Sequence, residues 1–165
     1  MSLERRLFYF VFAMTVCSLL AALISQHLFD MYPCAWCVLQ RLILVVIGAL
    51  ALLGIIGFRL RWFRRLMLFM VVAASTTGAW AAWHQMTVAA KLFSCDQTLA
   101  DRIMTSTGLE ASVPWLFGIY ATCMDASVSV LGMDYAAWAL TLFVVLTLSA
   151  LLALWASYRW PRTRG

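Results

Sequence analysis

The chain has 165 residues, 65% of them hydrophobic and 12% charged, with a formal net charge of +5. Soluble domains are closer to about half apolar and a quarter charged, so this composition, with a mean hydropathy of +0.92, excludes an ordinary water-soluble globule. The basic balance does not point to nucleic acid, because the arginines cluster beside apolar runs, where they orient a membrane protein.

Four apolar runs follow in order, at about residues 7–28, 38–58, 66–83 and 136–155. Each is close to the roughly 20 residues that cross a hydrocarbon core. Lipid demands an internally satisfied backbone, so the expected fold is an all-α, four-helix transmembrane bundle forming a single domain. Gly48, Gly54 and Gly57 in the second run, and Ala73, Ala74, Ser75 and Gly78 in the third, would let helices approach closely. Arg5 and Arg6 precede the first run, which is too long for a signal-peptide core and meets no A-x-A site before Asp30. An uncleaved signal-anchor helix is therefore expected.

The first link, about residues 29–37, carries Pro33 and the C-x-x-C motif Cys34-Ala35-Trp36-Cys37. This spacing suits a strained, readily exchanged disulfide. It leads into the second span, whose N-terminal dipole and open N–H groups favour a thiolate. Arg41 lies one turn beyond Cys37 on the same helix face. A fixed charge just inside the membrane is costly and marks a functional candidate, the plainer alternative being an arginine that snorkels to the headgroups. Beside a C-x-x-C the functional reading is preferred: Arg41 stabilises the Cys37 thiolate and holds the polar head of a lipid-soluble cofactor.

The second link, about residues 59–65, is short and rich in arginine. The third, about residues 84–135, is the long loop between helices 3 and 4, and it holds Cys95 and Cys123. A disulfide between these two could merely restrain the loop. A second dithiol on the same side makes exchange between pairs the favoured reading. Four thiolates could also bind zinc, but this pair lacks C-x-x-C spacing and faces an oxidising compartment, so no metal is expected. The segment from Val113 to Tyr120 is too short to span and rich in aromatics, which suggests that it lies along the membrane surface. Packing onto the bundle is the alternative. Cys17, mid-way along the first run, is read as a packing residue. His27 and His84 sit near the outer ends of spans. If helices 2 and 3 are neighbours, His84, with Gln85 and Met86, could approach Arg41 and help bind a quinone carbonyl.

Orientation follows from charge. Arg5, Arg6, Arg59, Arg61, Arg64, Arg65, Arg159, Arg162 and Arg164 lie on one side, against Arg41, Lys91 and Arg102 on the other. This split places both termini in the cytoplasm and all four loop cysteines outside.

P-C-x-x-C after the first span, an arginine one turn on, and two further cysteines in the second outside loop together resemble DsbB, the bacterial disulfide bond formation protein B family. The resemblance covers essentially the whole chain, including the stretches at Val113-Pro114 and Leu131-Gly132. It implies an inner-membrane thiol:quinone oxidoreductase that reoxidises a DsbA-like periplasmic thioredoxin-fold partner and reduces ubiquinone or menaquinone. Carried over by position, Cys95 is attacked by the partner and Cys123 is its loop mate. Cys34 receives the exchange between loops, and Cys37 faces quinone beside Arg41. His84 falls near the family's histidine, but its flanking residues and its spacing to Cys95 differ. A monomer is expected. Vitamin K epoxide reductase is a second thiol–quinone bundle, but its quinone-facing C-x-x-C belongs near a later helix. A non-enzymatic scaffold with structural disulfides is the alternative from another class.

Overall fold

The computed structural model describes residues 3–88, 99–122, 129–130 and 132–159. Four long helices carry the chain back and forth: α1 (Leu3–Leu28), α2 (Ala35–Ile56), α3 (Arg61–Thr87) and α7 (Tyr135–Arg159). Each is long and apolar enough to cross a membrane, the architecture of a multi-pass membrane protein. α1, α3 and α7 run past the apolar stretches read from sequence, because backbone hydrogen bonding continues where side chains turn polar, whereas α2 starts earlier than read, at Ala35, and stops at Ile56. Among the described residues between α3 and α7 are three short helices, α4 (Leu99–Thr107), α5 (Leu109–Ser112) and α6 (Pro114–Phe117). A two-residue antiparallel ribbon, β1 (Ser129–Val130) with β2 (Met133–Asp134), leads into α7.

The helices meet through small residues. A Cβ on Gly78 of α3 would stand 2.3 Å from the Phe143 ring of α7, and one on Gly54 of α2 would stand 2.2 Å from Phe8 of α1. Both rings are buried to the 1% level or below, so each glycine is the socket for an aromatic knob. In lipid, where apolar surface gains little by leaving the solvent, such van der Waals fit and interhelical hydrogen bonds hold helices together. Thr147 of α7 supplies one such bond to the Ser75 hydroxyl of α3, at 2.9 Å.

The two ends of the bundle differ. At the end bearing the α2–α3 turn, Arg64 and Glu4 form a buried ion pair at 2.8 Å. Arg64 also donates to the Phe58 carbonyl, and Arg65 donates to the Ser157 carbonyl at 2.7 Å. The opposite end is capped by the α4–α6 segment. There Ala100, Met104 and Phe117 pack with Cys34, Ala35, Trp36, Val38 and Ala81 in a second apolar cluster.

The segment from Val113 to Tyr120 packs onto this capped end. Phe117 is buried, with Val113, Leu116 and Ile119 against the same cluster, while Trp115 and Tyr120 stay exposed. Cys17 departs from its reading as an internal packing residue. It lies on the exposed outer surface of α1, because Phe8, Val11, Thr15, Ala22 and Gln26 form the inward stripe.

The Gly78–Phe143 contact predicts a packing defect that can be cured. Gly78→Ala should lower the unfolding temperature of the detergent-solubilised protein, at a cost of about 1–3 kcal/mol typical of overpacking. Adding Phe143→Leu should recover part of the loss, read as the difference between the single and double variants in a thermal melt.

Candidate functional site

Cys34 is the N-cap of α2, with an extended backbone (φ −87, ψ 170) and no side-chain cap bond. Its carbonyl accepts the first helical bond, from the Val38 N–H at 3.0 Å. Pro33 disfavours helix just before it, so the chain enters α2 at the first cysteine. Cys37 is then three residues into the helix, one turn on and on the same face. The Cys34 Sγ, not engaged in capping, donates instead to the Cys37 Sγ at 3.2 Å. The first turn of α2, which carries this pair, has N–H groups without intrahelical partners.

The two sulfurs face different surroundings. Cys34 has no exposed surface and lies beneath α4 and Phe117. Cys37 is partly accessible and lines a cavity of about 420 Å³ between α1, α2 and α7. Cys37, Arg41 and Tyr135 share this cavity with apolar walls that include Leu44, Trp138 and Leu142. Ser18, Ala21, Ala22 and Ser25, with Met14, form its α1 wall. Ser18 and Ser25 turn their hydroxyls onto the Met14 and Ala21 carbonyls, which quenches their polarity. The cavity reaches the outer surface of the bundle at the exposed Ala21, Trp138, Thr141 and Val145.

Arg41 does not snorkel. It is 6% exposed and donates to the Gln26 side-chain oxygen, to the Leu116 carbonyl at 3.2 Å and to the Ala22 carbonyl at 3.3 Å. One guanidinium thus joins α1, α2 and the residue before the end of α6. These acceptors use three of its five N–H groups.

Two glutamines complete the site. Gln85 of α3 donates through Nε2 to the Cys37 Sγ at 3.2 Å and to the Cys34 Sγ at 3.6 Å. Gln40, beside Arg41 on α2, donates to the Gln85 Oε1 at 2.7 Å. Helices 2 and 3 are neighbours, as an approach of His84 to Arg41 requires, but His84 does not line the cavity. It stacks on Trp36, with centroids 4.6 Å apart, because it leaves α3 about 100° away from Gln85. His27 approaches the Trp115 carbonyl at 3.3 Å and ties α6 to the end of α1. Cys95 and Cys123 lie outside the described residues. No group of three or more His, Cys, Asp or Glu side chains could hold a metal among the described residues.

Gln26, Gln40 and Tyr135 are site residues that motif reading missed, and Gln85 entered it only as a companion of His84 near Arg41, not as a partner of the cysteines. Their signal was present: each glutamine is a polar side chain within a span-forming helix, where such residues face the bundle interior and find partners.

A protein-family model described as "Disulfide bond formation protein DsbB" matches residues 4–153. Disulfide bond formation protein B of Azoarcus sp. (strain BH72) is 30% identical over 156 residues, covering 92% of this chain and 91% of that protein. Disulfide bond formation protein B 1 of Pseudomonas fluorescens (strain Pf0-1) is 31% identical, covering 88% and 86%. Disulfide bond formation protein B of Herminiimonas arsenicoxydans is 29% identical, covering 84% and 89%.

The unequal burial of the two sulfurs predicts unequal reactivity. In the reduced protein, a membrane-permeant maleimide should modify Cys37 about tenfold faster than Cys34, since thiol reactivity follows access. Peptide mass mapping after short exposure reads the ratio. Met104→Ala, which thins the α4 cover, should narrow it.

Proposed function

Because the chain belongs to the DsbB family of disulfide bond formation proteins, we propose that it reoxidises a DsbA-like periplasmic thioredoxin-fold protein. The electrons pass through Cys95–Cys123 and Cys34–Cys37 to membrane quinone. The observation that carries this reading is a C-x-x-C whose second sulfur lines an apolar cavity shared with a buried arginine.

The cavity suits a quinone head. Its walls are apolar, its volume is about 420 Å³, and Arg41 and Tyr135 offer donors at the end that holds Cys37. Small-molecule sites of this kind combine apolar walls with a few placed polar groups. The Gln26, Ala22 and Leu116 acceptors leave guanidinium N–H groups for a carbonyl oxygen.

The chemistry balances as four thiol–disulfide displacements that pass one disulfide from the C-x-x-C through the loop pair to the partner. A partner thiolate attacks Cys95, breaking the Cys95–Cys123 bond and forming a mixed disulfide at Cys95. Cys123 leaves as a thiolate and attacks Cys34, breaking the Cys34–Cys37 bond and releasing Cys37 as a thiolate. The second partner thiol displaces Cys95, which frees the oxidised partner, and Cys95 then displaces Cys34 to restore Cys95–Cys123. Cys34 and Cys37 are left holding two electrons and, with their protons, are ready for oxidation back to the disulfide. Quinone supplies the two-electron, two-proton sink. Arg41 keeps a positive charge beside Cys37 while it is a thiolate. We place the protein in the inner membrane with both termini cytoplasmic, as a monomer. The nine-to-three split of basic residues supports that orientation.

The test is quinone reduction by the purified protein given a reduced thioredoxin-fold substrate. Cys95→Ala should abolish the trapped covalent complex with that partner, yet keep part of the quinone reduction driven by a small dithiol. A structural scaffold would leave both pairs oxidised when quinone is depleted, which acid-trapped thiol counts would reveal.

Arg41→Met should raise the KM for quinone by about tenfold or more, as expected for losing a charge-assisted hydrogen bond. Arg41→Lys should fall between, because the charge stays and the planar fork is lost. Ala22→Phe should raise the same KM by filling the cavity, while leaving partner trapping at Cys95 unchanged. On spheroplasts, an impermeant maleimide should reach a cysteine placed at Ser2 or Thr163 only after permeabilisation; labelling of intact spheroplasts there would invert the orientation.

A further inference from the structure

Two primary amides are buried next to the C-x-x-C, Gln40 and Gln85, each 6% exposed. Placing an amide in an apolar interior is costly unless its hydrogen bonds are made. A structural account would have the two satisfy one another. The observed geometry does more: only one link of the chain joins amide to amide, and the next joins amide to sulfur. Gln40 Nε2 donates to Gln85 Oε1 at 2.7 Å, and Gln85 Nε2 donates to Cys37 at 3.2 Å and to Cys34 at 3.6 Å.

The order of donors matters. An amide end facing the sulfurs can present either N–H groups or a carbonyl oxygen. N–H groups favour reduced sulfur, above all a thiolate, and the oxygen repels it. Because Gln40 is a donor toward Gln85, the Gln85 oxygen is drawn to α2 and its N–H groups turn to the cysteines. A disulfide sulfur is a weaker acceptor than a thiol or thiolate, so these bonds count for more in the reduced pair.

We propose that Gln85 is a hydrogen-bond donor that sets the redox equilibrium of the Cys34–Cys37 pair, and that Gln40 is the positioning residue that fixes its polarity. This rests on the reading that Cys34–Cys37 cycles between disulfide and dithiol. Gln85 raises the share of the reduced form, and hence the readiness of this pair to take electrons from the loop pair. Arg41 contributes charge from the cavity side of Cys37, while the Gln85 amide acts from α3, oriented by Gln40 of α2.

The test uses the full chain in detergent, with Cys95 and Cys123 changed to serine so that only one pair reports. The pair is equilibrated with glutathione mixtures. Two glutathione thiols supply two electrons and two protons as the Cys34–Cys37 bond breaks, and they leave joined as glutathione disulfide. Acid quenching and a mass-shifting alkylator count the reduced fraction. Gln85→Leu should shift the equilibrium toward the disulfide by about tenfold, which for a two-electron couple is about 30 mV. Gln40→Glu should shift it in the same direction, since a carboxylate draws the Gln85 N–H groups away and turns its oxygen to the sulfurs. The double variant Gln40→Leu/Gln85→Leu leaves no orphaned amide. It should nevertheless keep the shift of Gln85→Leu, because the amide donor to the sulfurs is still missing.

A double variant with the parent equilibrium constant would overturn the proposal and leave the amides as packing. So would a Gln85→Leu constant within twofold of the parent in protein with the parent melting temperature. A parent pair that stays wholly oxidised across all glutathione mixtures would sink the cycling reading as well, so the two failures are told apart.

Discussion

A polar group in a lipid-solvated bundle must find its partner inside the protein, and the architecture of the functional end follows from that constraint. Arg41 is its strongest expression. Its guanidinium could not be buried at this depth without acceptors, and those acceptors are Gln26 and Ala22 of α1 and Leu116 at α6. Satisfying one charge therefore fixes the distance of α1 from α2 and holds the loop segment against the bundle. Removing one partner of such an arrangement costs more than the pair contributes, because an unanswered charge remains. The same logic explains Arg64 and Glu4 at the other end, where the one acid of the N-terminal segment is paired with a buried arginine.

The site separates two sulfurs only 3.2 Å apart into two environments. Cys34 belongs to the apolar cluster under α4, and Cys37 belongs to the cavity. A pair split in this way can take electrons from one side and deliver them to the other without either donor or acceptor crossing the protein. The arrangement also means that the α4–α6 segment has to yield before anything from the loop side reaches Cys34.

Much of this was legible in the residue order. Apolar runs near 20 residues long gave four spanning helices, since length and hydrocarbon thickness leave few alternatives. The C-x-x-C with Arg41 one turn later marked the site, because spacing alone puts them on one face. Contacts between helices were another matter. Gln85 and His84 are adjacent in sequence, and only the rotation of α3 decides which meets the cysteines. Cys17 looked like any small apolar residue of a buried face, yet the period of α1 turns it outward. The placement of Phe117 against Cys34 joins residues far apart in the chain, which no local pattern encodes. Cys95 and Cys123 were found by loop placement and by resemblance, and lie outside the described residues.

The rim of the cavity includes Ala21, Trp138, Thr141 and Val145 on the flank of the bundle, beside Tyr32 at its end. For a lipid-soluble occupant, the flank opening is a sideways route through the plane of the bilayer. The supply of such an occupant is a mole fraction among lipids, and collisions are counted in two dimensions. Apparent saturation expressed per volume of solution then has no fixed meaning, because diluting the occupant in extra lipid or detergent lowers occupancy while its bulk concentration is unchanged.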